Sequence, residues 1–176
     1  RSHYDSFVNG FVEAAKSQRL GDGLEEETTM GPMANIRRID SMENFVQDAV
    51  KSGAQLLTGG KRWGDVGYFW EPTILVDVPE ESVIMREETF GPVAPIIPFD
   101  SLEEAIEKAN SLSYGLAAYV FTKSDKTTEI LVESLETGGI AVNSAAPVPS
   151  DLPYGGFKDS GYGYEGGIEG VEAYLH

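Results

Sequence analysis

Helical and extended patterns alternate most clearly over residues 101–143, which read SLEEAIEKANSLSYGLAAYVFTKSDKTTEILVESLETGGIAVN. Ser101 and Glu104 form a capping box that opens a helix. Residues 116–122 include no charged side chain, which predicts a strand buried on both faces. A further helical pattern then leads to a strand over 140–143. Because strands separated by helices usually pair in parallel, this stretch predicts an α/β fold with an open, mostly parallel twisted sheet flanked by helices.

The chain before this stretch repeats the same alternation. A helix is predicted with Ser2 as its N-cap, and another is predicted from Asn35 to a stop at Gly53, because apolar residues recur there at helical spacing. Extended segments are predicted over residues 55–58, 73–78 and 93–99. Prolines in the last of them predict an edge or irregular strand.

Charge and composition limit the classes of partner. The 176 residues include 29 acidic and 13 basic side chains, which gives a net charge of −16. A surface this acidic repels nucleic acid and anionic membranes, so neither is expected as a partner. No apolar run approaches the roughly 20 residues that span a bilayer, and no signal-peptide pattern opens the chain. We therefore predict a cytoplasmic protein.

The residue types that are missing limit the chemistry. Cysteine is absent, which excludes disulfides, thiolate metal sites and a cysteine nucleophile within this chain. The two histidines, His3 and His176, lie near opposite ends, so neither a His-centred triad nor a multi-histidine metal site is expected. We therefore assign no catalytic residue and no metal site within the chain. Its chemistry must draw on carboxylates or on groups outside this sequence.

A glycine-rich match to the dinucleotide-binding fingerprint lies near the C-terminus. Gly161, Gly163 and Gly166 fit the GxGxxG spacing and precede a predicted helix. However, no apolar strand runs directly into the motif, and the acidic residue expected about 20 positions later would fall beyond the chain. We interpret the segment as a loop whose glycines permit left-handed turns or close packing.

Two other segments carry candidate functional residues. Residues 86–92 read REETFGP and place a glutamate pair and an aromatic residue just before a predicted strand. A carboxylate there can accept hydrogen bonds from two ribose hydroxyls, and an aromatic ring two residues later can flank a flat ring. Taken alone, these residues favour a surface acidic turn with a buried phenylalanine. Residues 152–161, LPYGGFKDSG, indicate on their own only a tight, rigid loop.

Taken in order, four motifs resemble the aldehyde dehydrogenase superfamily over essentially the whole chain. They are Gly31-Pro32 after an acidic loop, EETFGP at 87–92, Val142-Asn143, and PYGGFKDSG at 153–161. The resemblance is closest to the succinate-semialdehyde dehydrogenase-like branch, as in GDGLEE at 21–26 and EETFGPVAP at 87–95. It implies that residues 1–176 form the C-terminal part of the family's catalytic domain. The cofactor domain, the catalytic cysteine and the terminal interface strand would then lie outside this chain.

The resemblance also implies a cofactor site. Glu88 matches the glutamate that holds the nicotinamide ribose hydroxyls, and Phe90 matches the aromatic residue beside the nicotinamide. Arg38 falls where some relatives place a polar cofactor contact. The full enzyme would use NAD or NADP, whereas the chain alone would bind the cofactor weakly or not at all.

The substrate site follows from the same resemblance. Val148 and Tyr154 fall at positions that line the family's substrate tunnel. Glu165 matches a glutamate proposed to assist a proton relay, and it can equally be a loop carboxylate. Tyr154 stands where the family usually has phenylalanine, and Tyr164 stands where it often has arginine. The implied reaction is oxidation of an aldehyde, with semialdehydes included, to a carboxylic acid through thiolate attack, hydride transfer and thioester hydrolysis.

The absence of the nucleophile predicts that the isolated chain is inactive. Its implied partners are a small-molecule aldehyde, the rest of its own polypeptide, and further copies in a homodimer or homotetramer. Two alternatives stay open on the sequence alone. One is a cysteine-free pseudoenzyme that acts as a binding or scaffold protein, and the other is an acidic interaction domain that shares only the fold.

Overall fold

The computed structural model describes residues 2–145 and 148–175, and in it the chain divides into two units. The first unit comprises Arg1–Pro98 and the second comprises Phe99–His176. Each unit contains helices and one pair of parallel strands. The α/β class predicted from the sequence is therefore confirmed.

The first unit is built around a three-stranded sheet. Its elements are α1 (Tyr4–Lys16), α2 (Ile36–Ser52), β1 (Gln55–Thr58), β2 (Thr73–Val76), a 3₁₀ turn (Val83–Met85) and β3 (Val93–Ile96). The strand order is β1–β2–β3, with β1 antiparallel and β3 parallel to β2. Strand β3 lies at one edge of this sheet, as its prolines predicted.

All four residues of strand β2 are buried. Since successive side chains of a strand point to opposite faces, both faces of β2 are covered. Ile74 and Val76 pack with Val8 and Val12 of α1. Leu75 points to the opposite face and joins the core that α2 contributes. The sheet therefore has a helix on each face, and burial of each such aliphatic side chain contributes about 1.5–3 kcal/mol.

Helix α2 begins after Asn35 and ends at Gly53, as the sequence predicted. Met42 and Phe45 lie on its buried face, and Met42 is fully enclosed. Gly53 adopts a left-handed backbone with φ of 117°, which glycine accepts without the steric penalty of a side chain. The amphipathic period and the glycine stop thus specify the same helix.

The start of α1 differs from the prediction that Ser2 is the N-cap. The N-cap is His3, whose carbonyl accepts hydrogen bonds from the Phe7 backbone and from the Ser6 hydroxyl, both at 3.0 Å. No side chain caps this helix. A serine near a helix start is a common cap but does not by itself determine the first helical residue.

The described residues of the second unit form three helices and four short strands. They are α3 (Leu102–Asn110), β4 (Tyr114–Gly115), β5 (Ala117–Val120), α4 (Asp125–Ser134), β6 (Gly139–Val142), β7 (Phe157–Lys158) and α5 (Gly167–Glu172). Strands β5 and β6 pair in parallel, and β4 and β7 pair antiparallel. The antiparallel pair brings the glycine-rich segment near the C-terminus back to the end of α3.

The predicted capping box opens α3. The Ser101 hydroxyl accepts a hydrogen bond from the Glu104 backbone at 3.1 Å. The Glu104 carboxylate reaches back one residue further than the motif requires and accepts from the Asp100 backbone at 2.8 Å. This backbone hydrogen bond, followed by a side-chain hydrogen bond from Lys108, lowers the pKa of Glu104 below its usual value.

Two features of the strands differ from the sequence-based expectation. The sequence predicted one open sheet, whereas the described strands form a three-stranded sheet in the first unit and two two-stranded sheets in the second. Alternating helices and strands predict parallel pairing but do not specify which strands become neighbours. The strand predicted over 116–122 as buried on both faces is the shorter β5, where Tyr119 is 53% exposed. The absence of charged residues shows that the segment is apolar, but the burial of its side chains depends on which other elements pack against it.

Within the described ranges, no helix is both long enough and apolar enough to cross a membrane. The same residues contain no group of three or more His, Asp or Glu side chains arranged to hold a metal ion.

Candidate functional site

The candidate cofactor loop, residues 87–90, is held firmly on its N-terminal side. The 3₁₀ turn before it is anchored by the Asp48 carboxylate, which accepts a hydrogen bond from the Val83 backbone at 2.7 Å. Ile84 within this turn is buried in the core that α2 contributes to. The Glu87 backbone continues the turn by donating to the Val83 carbonyl at 3.0 Å. The loop therefore leaves the core from a fixed point.

Close packing holds the loop on its C-terminal side. A methyl group added at Gly91 would overlap the Met42 sulfur and come within 2.8 Å of the Met33 terminal carbon. Pro92 then accepts a hydrogen bond from the Thr73 backbone at 2.8 Å, which leads directly into β3. A side chain at position 91 would require Met42 and Met33 to move.

The backbone of Phe90 is left-handed, and its ring faces solvent. Its φ is 42°, and the side chain is 69% exposed. A non-glycine residue in this region costs on the order of 1–3 kcal/mol, which the anchors on both sides offset. The buried phenylalanine of the surface-turn interpretation is therefore wrong. Glu88, two residues earlier, is also exposed.

The exposed carboxylate and the exposed ring of this anchored loop are both available to contact a ligand. The carboxylate of Glu88 can accept hydrogen bonds from two hydroxyl groups at once. The ring of Phe90 offers a flat apolar face to another ring. The acceptor and the ring together thus fit a polyhydroxylated ligand that also carries a planar group.

Arg38 lies on α2 and is engaged within its own helix. Its guanidinium donates a hydrogen bond to the Ser41 hydroxyl at 2.9 Å, and that hydroxyl donates to the Arg37 carbonyl at 2.8 Å. The polar cofactor contact implied for Arg38 stays a prediction.

The two residues predicted to line the substrate tunnel come together in the second unit, at Gly139. A methyl group added at Gly139 would lie 3.8 Å from the side chains of both Val148 and Tyr154. Both side chains are half-buried. We call these three residues the candidate substrate wall. The sequence does not single out Gly139, because a glycine has no side chain whose chemistry could indicate a site.

Glu165 is tied to the substrate wall through its backbone. Its N–H donates to the Tyr154 carbonyl at 2.8 Å, and its carbonyl accepts from the Tyr154 N–H at 2.7 Å. The Glu165 side chain is exposed. The structure therefore places the Glu165 backbone beside Tyr154, and the proton-relay role of its carboxylate stays a prediction.

The glycine-rich segment after the wall is a loop, as predicted. Gly161, Gly163 and Gly166 have φ values of 114°, 86° and 71°, all in the left-handed region. The strand before them is the two-residue β7, which pairs antiparallel with β4. A dinucleotide fingerprint requires a parallel strand that runs straight into a helix, so this motif is not one.

An apolar groove of about 240 Å³ lies in the first unit between α1 and the ends of β2 and β3. None of its lining residues has an ionisable side chain, so the groove supplies no general acid or base. They are Phe11, Ala14, Ala15, Gln18, Met30, Pro72, Thr73, Ile74, Gly91, Pro92, Val93 and Ala94.

Comparison with known proteins identifies related sequences along the whole chain. A model of the aldehyde dehydrogenase family matches residues 1–176. A putative 4-(hydroxymethyl)benzenesulfonate dehydrogenase of Comamonas testosteroni is 45% identical over 175 residues, which cover 99% of this chain and 36% of that protein. The mitochondrial succinate-semialdehyde dehydrogenase of Rattus norvegicus is 44% identical over 176 residues, which cover 99% of this chain and 34% of that protein. The chain thus spans about a third of the length of these relatives.

Solved structures show the same similarity in three dimensions. The NAD+ complex of an aldehyde dehydrogenase from Bacillus cereus has a TM-score of 0.94 and 40% identity, over 99% of this chain and 35% of that one. The succinate-semialdehyde dehydrogenase from Burkholderia pseudomallei also has a TM-score of 0.94, with 37% identity over 98% of this chain and 36% of that one. Because the family model and these structures cover nearly every residue, the chain belongs to the aldehyde dehydrogenase family.

Proposed function

We propose that the chain is the C-terminal part of the catalytic domain of an NAD(P)-dependent aldehyde dehydrogenase, which oxidises an aldehyde to a carboxylic acid. The observation that carries the proposal is the family match over residues 1–176. The exposed pair of Glu88 and Phe90 on an anchored loop supports it from the geometry. Since the chain spans about a third of its relatives, the activity belongs to the longer polypeptide.

Glu88 and Phe90 are the residues that would hold the nicotinamide end of the cofactor. When bound, the cofactor supplies the acceptor for a hydride. The Glu88 carboxylate accepts hydrogen bonds from the ribose hydroxyls, and the Phe90 ring limits the movement of the planar group. The adenine and pyrophosphate contacts would come from outside this chain. We therefore propose that the chain alone binds cofactor weakly or not at all.

Val148 and Tyr154 would form one wall of the substrate tunnel, with Gly139 between them. The names of two relatives suggest the substrate class. Succinate semialdehyde carries a carboxylate away from its reacting carbon, and a benzenesulfonate carries a sulfonate. We propose a small aldehyde with an anionic group, of the semialdehyde type, as the substrate. Glu165, beside Tyr154, is the carboxylate available for a proton relay.

The isolated chain is proposed to be inactive, because none of its 176 residues is a cysteine. The family reaction needs a thiolate that attacks the aldehyde. The longer polypeptide would supply this thiolate and would assemble as a homodimer or homotetramer. Cytoplasmic localisation stays a prediction, and several relatives are mitochondrial proteins by name.

The test compares the full-length polypeptide with residues 1–176 alone. Each is assayed for NADH and NADPH formation with succinate semialdehyde and with an uncharged aldehyde of similar size. We expect activity only in the full-length protein and a preference for the semialdehyde. A full-length protein that binds partners but forms no reduced cofactor with any aldehyde would instead support the pseudoenzyme alternative. A cysteine shortly before Arg1 in the full sequence is the matching sequence check.

A further inference from the structure

The Lys158 ammonium group uses three hydrogen-bond acceptors on two other segments of the second unit. It donates to the Asn110 carbonyl at 2.9 Å and to the Leu112 carbonyl at 3.0 Å. Its third partner is the Glu136 carboxylate at 2.6 Å. An ammonium has three donors, so this environment satisfies it fully. The Lys158 side chain is 26% exposed and that of Glu136 is 58% exposed, so water partly screens the ion pair.

Asn110 extends this contact network through its side chain. It is the last residue of α3, and its amide donates to the Ser134 carbonyl at the end of α4 at 2.7 Å. Its side-chain oxygen accepts from the Glu136 backbone at 2.9 Å. Because Asn110 ends α3, its backbone carbonyl has no partner within the helix, and Lys158 donates to it instead. Together, Lys158, Asn110 and Glu136 join the ends of α3 and α4, and we call this set the lysine clamp.

Lys158 of the lysine clamp lies four residues after Tyr154, on a segment whose backbone is held at several points. Lys158 belongs to β7, and the Ser160 hydroxyl accepts from the Gly115 backbone at 2.8 Å. Gly155, which lies between Tyr154 and Lys158, is so close to Gly138 that a methyl group added at Gly138 would overlap the Gly155 carbonyl oxygen. The position of Tyr154 against Gly139 is therefore set by what holds this segment to the strands.

We infer that Lys158 is a positioning residue for the substrate: its ammonium holds the segment that places the Tyr154 ring at the wall. The inference rests on the proposed function for the meaning of that wall. Loss of the ammonium leaves two carbonyls and a carboxylate without their donor and frees β7 to shift. Arginine does not substitute simply, because its planar fork cannot direct three donors to the same three acceptors.

The experiment uses the full-length polypeptide with Lys158→Met, which keeps the aliphatic stem and removes the charge. Lys123→Met is the matched control, since Lys123 is an exposed lysine of the same unit. We expect Lys158→Met to raise KM for the aldehyde about tenfold, since small misplacements of a substrate have large kinetic effects. KM for NAD(P)+ should stay within about twofold of wild type, because Glu88 and Phe90 belong to the first unit. Lys123→Met should change neither constant.

A role in folding alone gives a different pattern. A lower fraction of active enzyme would reduce kcat and leave both KM values unchanged, and that result would overturn the inference. Unchanged kinetics for Lys158→Met would also overturn it. Glu136→Gln, which keeps an acceptor and loses the charge, should show a smaller rise in aldehyde KM. An effect of Glu136→Gln larger than that of Lys158→Met would contradict the central role of the ammonium.

A second measurement separates this inference from the proposed function. Hydrogen–deuterium exchange is followed in the peptide that contains Tyr154 and Glu165, whose backbone groups pair with each other. We expect faster exchange in Lys158→Met than in wild type or Lys123→Met. If wild type oxidises no aldehyde, the proposed function fails, and the exchange result then decides the clamp alone. Unchanged exchange in this peptide would refute the clamp.

Discussion

Replacing Gly138 with alanine tests a close backbone approach in the second unit, between Gly138 and Gly155. The added methyl group would overlap the Gly155 carbonyl oxygen and lie 2.8 Å from its carbonyl carbon and 3.0 Å from the Gly156 Cα. Ordinary contacts begin at 3.4 Å. The backbone of Gly138 is not left-handed, so the expected cost arises from this contact and not from backbone strain.

The magnitude follows from what must move. The obstacle is backbone, which cannot rotate away as a side chain can, so the segment at Gly155 must shift by at least about 1 Å. Overpacking of this kind costs about 1–3 kcal/mol, and we expect the upper end, about 3 kcal/mol of unfolding free energy. Tyr154 precedes Gly155 directly, so the same shift would carry its ring away from Gly139. A displacement of about 1 Å at a reacting site can lower the rate on the order of 100-fold.

Denaturant unfolding and steady-state kinetics of the full-length polypeptide check both effects. Gly10→Ala is the matched control: Gly10 lies inside α1 with no atom near the added methyl, so alanine there should stabilise by about 0.5–1 kcal/mol. Gly91→Ala should cost less than Gly138→Ala, because its obstacles are the flexible ends of methionines. If Gly138→Ala stays within about 0.5 kcal/mol of wild type while Gly10→Ala stabilises, the argument from close backbone approach fails.

Three further predictions address the first unit and α3. Met42→Ala should lower the unfolding free energy by about 2–5 kcal/mol, because the side chain is fully buried, and thermal or denaturant unfolding measures this. Glu88→Gln should slow hydride transfer on the order of 100-fold in stopped-flow experiments with only a modest loss of cofactor affinity, because an amide offers one good acceptor where a carboxylate accepts from both hydroxyls; lost binding with an unchanged hydride rate would mean that Glu88 is only an anchor. The lowered pKa of Glu104 means that its contribution to stability is present above the usual value of 4.5 and is lost as pH falls through the folded-state pKa. Exchange protection of α3 should therefore fall in acid, and Glu104→Gln should weaken that pH dependence without abolishing it, because the pKa of Glu103 in the same turn is also lowered by hydrogen bonds.

The elements that the sequence predicted well are those with several local signals in agreement. In α2, the helical period of apolar residues and the stop at Gly53 specify the same segment. The capping box at Ser101 and Glu104 likewise needs only neighbours in sequence. Such features depend on residues within one or two turns, so a pattern in the sequence is sufficient to find them.

The parts that the sequence could not predict depend on distant contacts or on strain. The exposure of Phe90 runs against the usual burial of phenylalanine, and its left-handed backbone is held by anchors that lie outside the local motif. The meeting of Val148 and Tyr154 at Gly139 joins three separate segments. A glycine leaves no side-chain pattern, so nothing near position 139 indicates that a wall forms there.

The candidate cofactor loop and the candidate substrate wall are held in physically different ways, and this difference has a consequence for how each can change. The loop at Phe90 packs through Gly91 against methionine side chains, which are flexible and can repack around a modest change. The substrate wall is positioned by glycine backbones in direct contact and by an ammonium whose three donors are all used. Neither of these arrangements can adjust without moving Tyr154. Changes in the aldehyde accepted should therefore arise from exchanging the side chains at 148 and 154, while the backbone that carries them stays the same.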